Sequence, residues 1–400
     1  MVATLIVVPI ILIAAFAASE LFKKIGFPPV VGQILAGVIF GIPLIETTLF
    51  AAESRSIVDF LAVLGIVFLL FLAGLEIDID KVKETSRDSI VISFSAALVP
   101  LLLGFFFLKA MGYDFLTALV FGGALSVTSE ATKVKVLMDM DSLDTRLGAI
   151  MVAAGAIDDV FEVTFLSLVV VLAHGGSLFE LALIPVQLVV FVVIAFVFFK
   201  AISRVLHYLE NNGGDDTELF SMIMIFVLVL AALSEVMELG YLIGAIIGGF
   251  LLQLSLRNIH QKHREDMIRV TKMITLGLVV PFFFANVGLN FNFETLSMNL
   301  PLLIGTVFIA FAGKLLGTLI AAPASSLNLK QLYYVGWAMN SRGAAELVIA
   351  LIALQFNLMP LEVFSALVAT AIITTLAFPF VLSRGIKKNP GLMDEIPVKD

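Results

Sequence analysis

The segment Ala156-Ile-Asp-Asp-Val-Phe161 places two adjacent carboxylates, Asp158 and Asp159, inside an apolar run that we predict to be one helix over roughly residues 147–171. A single aspartate at the centre of a membrane-spanning helix costs about 2.5–3.5 kcal/mol on insertion scales. An ionisable side chain kept at that depth indicates a functional site. The alternative is a buried pair that hydrogen bonds satisfy, without a transport role. Successive helical residues point in different directions, so the two carboxylates can have different roles.

The composition indicates a protein whose core lies in a lipid bilayer. Of the 400 residues, 60% are hydrophobic and 14% are charged, whereas a soluble domain has about 25% charged residues. The first apolar segment lacks the basic flank and cleavage site of a signal peptide, so we expect it to be retained. We predict an all-α polytopic membrane protein in which residues 1–400 form a single transmembrane domain. Thirteen apolar segments are long enough to span a bilayer, at roughly 2–22, 28–45, 57–77, 89–111, 114–138, 146–173, 178–208, 217–237, 239–256, 268–289, 299–322, 329–356 and 360–383.

The distribution of lysine and arginine predicts the orientation of the chain. Of the 24 such residues, Lys314 and Arg342 fall within predicted spans, and Arg55 and Lys109 lie in loops on one side. The remaining twenty, a group that includes Lys133, are assigned to the loops and tail on the opposite side. Because cytoplasmic loops carry the excess of positive charge, we expect the N-terminus outside and the C-terminus in the cytoplasm of the cell.

The two halves of the chain repeat at a nearly constant offset of 212 to 215 residues. Ser19-Glu20 recurs as Ser234-Glu235, and Gly26 recurs as Gly240. Seven spans separate equivalent positions, so the halves have opposite orientations, which is typical of secondary transporters with a site near the midplane. The predicted parts are a first inverted repeat at 1–173, a linker helix at 178–208, a second inverted repeat at 217–383 and a short cytoplasmic tail at 384–400.

Two equivalent spans have small, hydroxyl-rich and charged centres that are poor helix formers. One reads Gly122-Gly-Ala-Leu-Ser-Val-Thr-Ser-Glu-Ala-Thr132, and the other reads Gly336-Trp-Ala-Met-Asn-Ser-Arg-Gly-Ala-Ala-Glu346. We predict two crossing broken helices, whose freed carbonyls and half-helix ends can hold a cation. Glu130 and Arg342 are placed to offset the partial charges of those ends. The alternative is two intact helices whose hydroxyls bond their own backbone.

A lysine also falls in the middle of a predicted span. Lys314 lies between Gly313 and Gly317, and such small residues let another helix approach closely. A lysine that reaches the membrane surface would lie near the end of a span, so we predict a buried ion pair for Lys314. Glu346 follows Arg342 by four residues, a spacing that favours a structural ion pair over an ion ligand.

Four motifs together resemble the monovalent cation–proton antiporter superfamily. They are SVTSEATKVKVL at 126–137, AAGAIDDV at 153–160, GKLLGT at 313–318 and MNSRGAAELVIAL at 339–351. The chain is most similar to the two-aspartate sodium/proton antiporters and to the related potassium efflux systems. The resemblance covers essentially the whole chain, including the number of spans and the outside N-terminus.

The resemblance implies roles for particular residues. Asp159 matches the ion-binding carboxylate and Asp158 matches its partner, which makes both candidate Na⁺ ligands. Thr128 and Ser129 match the unwound segment. Lys314 matches the intramembrane lysine that pairs with the first aspartate.

The resemblance also implies how the protein moves and assembles. Spans four to six and eleven to thirteen would form a mobile core that moves like an elevator, and the remaining spans would form a scaffold that dimerises. Two-aspartate members tend to be electrogenic. Glu130 departs from the family pattern, which usually has an apolar residue at that position, and Asn340 is a secondary candidate in the second break.

We therefore expect a secondary antiporter that exchanges Na⁺, or Li⁺, for H⁺ and requires no cofactor. Oxygen ligands suit such hard cations, and a carboxylate that binds either a proton or a cation makes the two compete. Two alternatives stay open: K⁺/H⁺ exchange or potassium efflux, and a non-transporting sensor or sodium-coupled symporter of organic solutes. The sequence has no nucleotide, metal-cluster or nucleophile motif. We expect cations, protons and the lipid bilayer as partners, and neither enzymatic activity nor a nucleic-acid ligand.

Overall fold

The computed structural model describes residues 2–50, 52–76, 87–138, 140, 142, 145–173, 178–211, 216–237, 239–256 and 261–393. Some side chains within these ranges, including those of Glu130 and Asp159, lie outside the description. The described part is all-α and contains no β-strand. Its helices are α1 (Val2–Lys24), α2 (Pro29–Phe40), α3 (Pro43–Leu49), α4 (Ala52–Glu76), α5 (Arg87–Ala110), α6 (Phe115–Ser126), α7 (Glu130–Met138), α8 (Arg146–Ala173), α9 (Leu178–Asn211), α10 (Asp216–Val236), α11 (Tyr241–Leu256), α12 (Gln261–Ile274), α13 (Val280–Leu289), α14 (Phe293–Met298), α15 (Leu300–Ile320), α16 (Leu329–Ala338), α17 (Ala344–Gln355) and α18 (Leu361–Lys388). A π-helical turn (Thr275–Val279) joins α12 to α13, and 3-10 turns lie at Ala322–Ala324 and Pro390–Met393.

Eight segments of the described chain are long and apolar enough to cross a membrane, or nine if the bent pair of α2 and α3 counts as one span. Further apolar helices, including α6, α11 and α17, are shorter, at 10–17 residues. The protein is therefore a multi-pass membrane protein. The eight segments are Ile6–Lys24, Ser54–Leu75, Arg87–Ala110, Val186–Leu206, Thr217–Val236, Glu265–Leu289, Leu300–Ala324 and Leu361–Lys388.

The predicted span at 28–45 is not one straight helix. It is divided between α2 and α3, which are bent by 82° relative to each other. Pro43 is the first residue of α3, and a proline disfavours the helical conformation in the residue before it. Ile42 accordingly has extended backbone angles, with φ −63° and ψ 126°. A hydropathy profile alone does not detect this local steric effect.

The chain forms two compact units, and each combines segments from both halves of the sequence. Unit 1 comprises Met1–Ala17, Gln33–Ile77 and Ser167–Leu289. Unit 2 comprises Ala18–Gly32, Asp78–Leu166 and Asn290–Asp400. All nine candidate site residues predicted from the sequence belong to unit 2.

Apolar packing in unit 2 holds several helices together. One cluster of buried side chains includes Ile92 of α5, Leu137 of α7, Met151 of α8, Val335 of α16 and Leu382 of α18. Lipid is as apolar as these side chains, so close packing rather than removal from water is what stabilises their contacts. The cluster thereby fixes the helices whose broken ends form the candidate site.

Within unit 2, α15 packs closely against α5 at two glycines. A β-carbon at Gly313 would collide with Pro100, and one at Gly317 would collide with the backbone at Ser95. These are the glycines on either side of Lys314, and the close approach leaves the Lys314 side chain fully buried. A larger residue at either glycine would push the two helices apart.

Candidate ion-binding site

The first predicted break is present between α6 and α7. Helix α6 begins after Asp114, whose carboxylate caps it by accepting hydrogen bonds from the backbone N–H groups of Leu116 and Thr117. The helix stops at Ser126, and residues 127–129 are not helical. Val127 is extended, with φ −70° and ψ 148°. The last carbonyls of α6 therefore lack the backbone N–H donors that a continuing helix would supply.

The second predicted break is present between α16 and α17. A capping box formed by Asn328 and Gln331 starts α16. Residues 339–343 are not helical and separate the two halves. Gly343, just before α17, has an extended backbone, and a β-carbon there would collide with the side chain of Ser129 in the first break. The absence of a side chain at this position lets the two breaks approach each other.

Hydrogen bonds hold the two breaks together. The Ser129 N–H donates to the Ser341 carbonyl at 2.7 Å, and the Ser341 hydroxyl donates to the Ser129 carbonyl at 2.8 Å. The Thr128 hydroxyl lies 3.4 Å from the Met339 carbonyl, to which it donates. Backbone groups that a continuous helix would use internally thus find partners, either backbone groups or hydroxyls, in the opposite break, as buried polar groups must.

Lys314 of α15 reaches into the first break. Its Nζ donates to the Ser126 carbonyl and to the Thr128 hydroxyl, the latter at 2.6 Å. The same Nζ lies 3.6 Å from Oδ2 of Asp158 on α8, and the two side chains are 0% and 2% exposed. Opposite charges at this distance offset each other's cost of burial, which a lone buried charge cannot do. The structure thus brings together three of the residues predicted to act in the site.

The carboxylate of Asp158 has unused acceptor capacity. Both of its oxygens are buried, and neither accepts a hydrogen bond from the described residues. Asn340 is similar: its amide nitrogen donates to the Gly336 carbonyl at 2.9 Å, whereas its buried Oδ1 accepts no hydrogen bond from the described part of the chain. Most buried polar atoms in proteins have a partner. Oxygen atoms of this kind are the ligands that hard cations prefer.

Two predicted residues have side chains outside the described part of the chain. Asp159 follows Asp158 on α8, and its role as the cation ligand stays a prediction. Glu130 is the first residue of α7, where the helix dipole favours a negative charge. Its role in offsetting the charge of that helix end also stays a prediction.

A second buried ion pair lies within the second break. Nη1 of Arg342 is 3.5 Å from Oε2 of Glu346, and both side chains are fully buried. Nη1 also donates to the carbonyls of Ala124 and Val127 at 3.4 and 3.5 Å, where the end of α6 is partly negative. Glu346 lies in the first turn of α17, where the helix end is partly positive. The pair therefore matches the charges of two half-helix ends.

Two contributors to the region do not follow from the sequence patterns. The assignment of Lys133 to a loop is wrong, because the residue lies on α7 with a fully buried side chain. The hydroxyl of Thr375 on α18 donates to the Arg342 carbonyl at 3.1 Å and so supports the second break. Position 133 falls within the predicted span at 114–138, which was a usable signal, whereas a threonine in an apolar helix is too common to be one.

Comparisons with known proteins agree with this architecture. The chain matches the family model described as "Sodium/hydrogen exchanger, transmembrane" over residues 11–388. It is 26% identical over 381 residues to a Na⁺/H⁺ antiporter of Enterococcus hirae, covering 95% of this chain and 97% of the relative. It is 24% identical over 375 residues to the Na⁺/H⁺-K⁺ antiporter GerN of Bacillus cereus, covering 94% of each.

The fold is similar to that of a solved structure. The sodium proton antiporter MjNhaP1 from Methanocaldococcus jannaschii superposes with a TM-score of 0.68 at 17% sequence identity, and the match covers 96% of each chain. At that identity the likeness concerns the fold alone, and it extends over nearly all of both chains.

Proposed function

Since this chain belongs to the sodium/hydrogen exchanger family, we propose that it is a secondary antiporter that exchanges Na⁺ for H⁺, with Li⁺ as a second cargo. The family consists of transporters rather than enzymes, and its members carry monovalent cations and protons across membranes. Cation/proton exchange follows from family and fold. The choice of Na⁺ and the residues and movements described below are what the proposal adds.

The observation that carries the proposal is the buried pair of Lys314 and Asp158 beside a helix break. Its two side chains are almost wholly removed from solvent, and Lys314 donates a hydrogen bond to the Thr128 hydroxyl. Charges at this depth are costly and are kept where they act on an ion or proton pathway. The oxygens of Asp158, which accept no hydrogen bond from the described residues, add ligands suited to a hard cation.

We assign the binding of both the cation and the proton to Asp159 and Asp158. A proton and Na⁺ compete for the carboxylate of Asp159, so loading with one ion requires release of the other. Asp158 and oxygens around Thr128 and Ser129 complete the cation ligands, and Asn340 is a secondary ligand. Arg342 and Glu346, together with Glu130, balance the half-helix ends. The transported ions are the only ligands that this scheme requires.

We further propose thirteen spans arranged as two inverted repeats around a linker helix. Two equivalent turns support this arrangement. Gly26 and Gly240 both have positive φ, 82° and 79°, and each follows a helix whose serine bonds a nearby carbonyl. The Ser19 hydroxyl donates to the Pro29 carbonyl, and the Ser234 hydroxyl donates to the Gly240 carbonyl. The lysine and arginine bias supports an outside N-terminus and a cytoplasmic C-terminus.

The transport movement is proposed to be an elevator motion of a core within a homodimeric scaffold. Unit 2 holds most of the residues of predicted spans four to six and eleven to thirteen, which are the spans assigned to the mobile core. Unit 1 holds most of the other spans. A compact unit that contains every candidate ion-site residue is a suitable body to carry the ion.

We propose an electrogenic cycle of two protons per Na⁺. When Na⁺ binds, the pair of Lys314 and Asp158 separates and Lys314 releases its proton as the second one. In the alternative scheme, Asp158 holds a proton in the Na⁺-free state and releases it when Na⁺ binds. Lysine can lose its proton when buried, whereas arginine cannot. One net charge crossing the membrane is worth about 2.3 kcal/mol per 100 mV, so voltage alone can drive this exchange.

The test uses the full-length protein in sealed vesicles with an imposed pH gradient. Addition of Na⁺ or Li⁺ is expected to dissipate the gradient without any organic solute. An imposed voltage at equal pH on both sides is expected to drive Na⁺ uptake. No response to any monovalent cation would remove the antiporter function, and Na⁺ flux that ignores voltage would remove the electrogenic scheme.

A second candidate function is K⁺/H⁺ exchange. The name of the relative GerN, which includes K⁺ beside Na⁺ and H⁺, favours keeping it. The same vesicle assay separates the two functions, because a K⁺ exchanger dissipates the gradient with K⁺ at concentrations where Na⁺ has little effect.

A further inference from the structure

An open apolar groove runs along α15 in unit 2. Its volume is about 580 Å³, and its lining side chains are all apolar and come from α15 except for Ile373 of α18. Phe308 and Ile373 in its walls are 70% and 40% exposed. Both helices belong to segments that are long and apolar enough to cross a membrane. A groove with this lining therefore faces lipid rather than water.

A stripe of side chains on α18 leads from this groove to a basic helix end. Its members share one face of the helix, because they are separated by seven, four and three residues; they are Ile373, Phe380, Arg384 and Lys387. Phe380 and Arg384 are exposed, and Lys387 and Lys388 lie in the last turn of the helix. The stripe thus begins among apolar side chains and ends in a group of cations.

Arg384 is held against an aromatic ring at the charged end of the stripe. The centre of its guanidinium lies 3.6 Å from the centroid of the Phe380 ring. A cation is attracted to the face of such a ring, and at this distance the planar guanidinium contacts the ring through its own face. Its N–H donors lie in its plane, in an arrangement that matches two oxygens of a phosphate group. Phe380 therefore orients Arg384 as a phosphate-binding group.

The distance between Arg384 and the groove fits a lipid chain. Eleven residues separate Ile373 from Arg384, which corresponds to about 16 Å along a helix. One leaflet contributes half of a hydrocarbon core of about 30 Å, or about 15 Å. An acyl chain whose headgroup binds Arg384 would therefore extend into the groove beside Ile373.

The groove lies on the helix that carries Lys314. Phe311 lines the groove, and its ring packs against Trp337 of the broken helix α16 with the centroids 5.5 Å apart. At Gly313 and Gly317 the same helix packs against α5. A chain bound in the groove would therefore contact both α15 and α18, beside the point where α15 meets α16.

We propose that the groove and Arg384 form a binding site for one anionic phospholipid, with an acyl chain between α15 and α18 and the phosphate on Arg384. The site goes beyond the ion exchange proposed above and does not depend on which cation is carried. Charge complementarity selects this occupant, because clustered basic residues attract anionic headgroups and three cations lie in the last two turns of α18. Ordinary boundary lipid would gain only the apolar contacts.

The experiment measures the Tm of the full-length protein in detergent as phosphatidylglycerol, or phosphatidylcholine with the same acyl chains, is added. A lipid that binds the folded state raises the Tm in proportion to its occupancy. We expect phosphatidylglycerol to reach half of its maximal shift at a lower concentration than phosphatidylcholine. Native mass spectrometry should retain one phosphatidylglycerol per protomer. Equal responses to the two lipids would overturn the proposal, since the groove would then hold ordinary boundary lipid.

Two variants separate the headgroup contact from the groove. Arg384→Gln should raise the half-shift concentration of phosphatidylglycerol at least about fivefold, as the loss of one basic residue beside anionic headgroups predicts, and should abolish the preference over phosphatidylcholine. Ala312→Phe keeps every charge but places a ring in the groove, and it should weaken phosphatidylglycerol binding to a similar extent. Arg384→Lys keeps the charge without the paired donors and should fall between the wild type and Arg384→Gln. An unchanged half-shift concentration in Arg384→Gln or in Ala312→Phe would overturn the site.

Lys200→Gln is the matched control. Lys200 Nζ lies 4.9 Å from the centroid of the Phe196 ring on α9, so this variant removes an exposed cation bound to a ring on a helix that does not line the groove. It should keep the wild-type response to both lipids. If Ala312→Phe does not fold, Ala312→Leu fills less of the groove and should weaken binding in the same direction.

The mass of the detergent-solubilised protein tests the other possible occupant of the groove. A change of oligomeric state in Ala312→Phe with lipid binding unchanged would show that a second copy of the chain covers this surface, and the lipid site would be wrong. None of these measurements uses transport. A protein that binds phosphatidylglycerol as expected but exchanges no ions would therefore refute the proposed function and leave the lipid site in place.

Discussion

The two buried ion pairs of unit 2 have similar geometry but different chemistry. Lys314 and Asp158 are 3.6 Å apart, and Arg342 and Glu346 are 3.5 Å apart, with all four side chains almost completely buried. The first pair joins two helices that are far apart in sequence, α15 and α8. The second lies four residues apart within one segment, and its arginine also donates to carbonyls of α6.

The difference separates a pair that can change its charge from a pair that cannot. A buried lysine can become neutral, whereas arginine keeps its proton in proteins. Movement of one helix against another can change the distance from Lys314 to Asp158, whereas Arg342 and Glu346 are only four residues apart in one segment of the chain. Burial and distance alone therefore do not identify a transport group. The ability of a side chain to lose its proton and the separation of the two partners along the chain do identify it, and four variants test that distinction.

The largest effect is expected at Asp159, next to the Lys314 pair on α8. Asp159→Asn removes the carboxylate that cation and proton share, so cation-driven proton movement should be abolished while the protein stays folded. The measurement is dissipation of a pH gradient by Na⁺ in vesicles. Robust exchange in this variant would exclude Asp159 from the mechanism and transfer the binding role to Asp158.

Substitution at Glu346 should instead affect stability more than chemistry. Glu346→Gln leaves the buried charge of Arg342 without its carboxylate, and breaking a buried pair in this way costs about 3–5 kcal/mol. We expect a large drop in Tm in detergent but a KM for Na⁺ close to wild type in the protein that remains folded. Glu362→Gln, a carboxylate of unit 2 near the surface that accepts a bond from Tyr113, is a control with the same change of charge. Abolished exchange at unchanged Tm would place Glu346 among the transport groups.

The sequence was sufficient to predict the pairing of Asp158 with Lys314 and the two broken helices. Asp158 and Lys314 stand out because charge is rare in an apolar chain, and the hydroxyl-rich centres of two equivalent spans are poor helix formers. Glycines beside Lys314 predicted the close helix approach that the structure has. These features depend on local composition and on the cost of burial, both of which can be read along the chain.

The contacts that complete the site could not be predicted in the same way. Lys314 on α15 donates to the Ser126 carbonyl at the end of α6, 188 residues away in sequence, a contact that only the folded chain creates. Lys133 was assigned to a loop because lysines near span ends are usually cytoplasmic, yet packing turns it inward. The bend at Ile42 required the local effect of Pro43 rather than hydropathy. Side-chain direction and long-range packing are properties of the folded chain.

A paired substitution tests whether the Lys314 pair provides the voltage dependence. In the double variant Asp158→Asn, Lys314→Gln, neither buried charge is left alone, so we expect the protein to fold and exchange to continue through Asp159. With one titratable group fewer, one proton should exchange per Na⁺. An imposed membrane potential should then no longer drive Na⁺ flux at equal pH, which removes the contribution of about 2.3 kcal/mol per 100 mV.

The control for the paired substitution is the wild type under the same voltage. Its flux should rise with the imposed potential, while that of the double variant stays constant. Asp158→Asn alone leaves Lys314 buried without its partner and should be less stable than the double variant. A double variant that keeps the voltage response would locate the second proton outside this pair.

The smallest effect is expected at Thr128, which is the neutral residue in the group formed by Lys314, Asp158 and Thr128. Its hydroxyl accepts a bond from Lys314 Nζ and donates to the Met339 carbonyl, so it both positions the lysine and offers an oxygen near the ion. Thr128→Ala should raise the apparent KM for Na⁺ by about tenfold, since a hydrogen bond to a charged group contributes about 1.5 kcal/mol or more. The maximal rate should change less, because the carboxylates remain. Thr128→Ser should restore KM, and Thr370→Ala, at a buried threonine of α18, should leave it unchanged. A fall in maximal rate at constant KM would show that Thr128 acts on the movement of unit 2 rather than on the bound ion. Thr128 and the charged pair of Asp158 and Lys314 would then have separate functions.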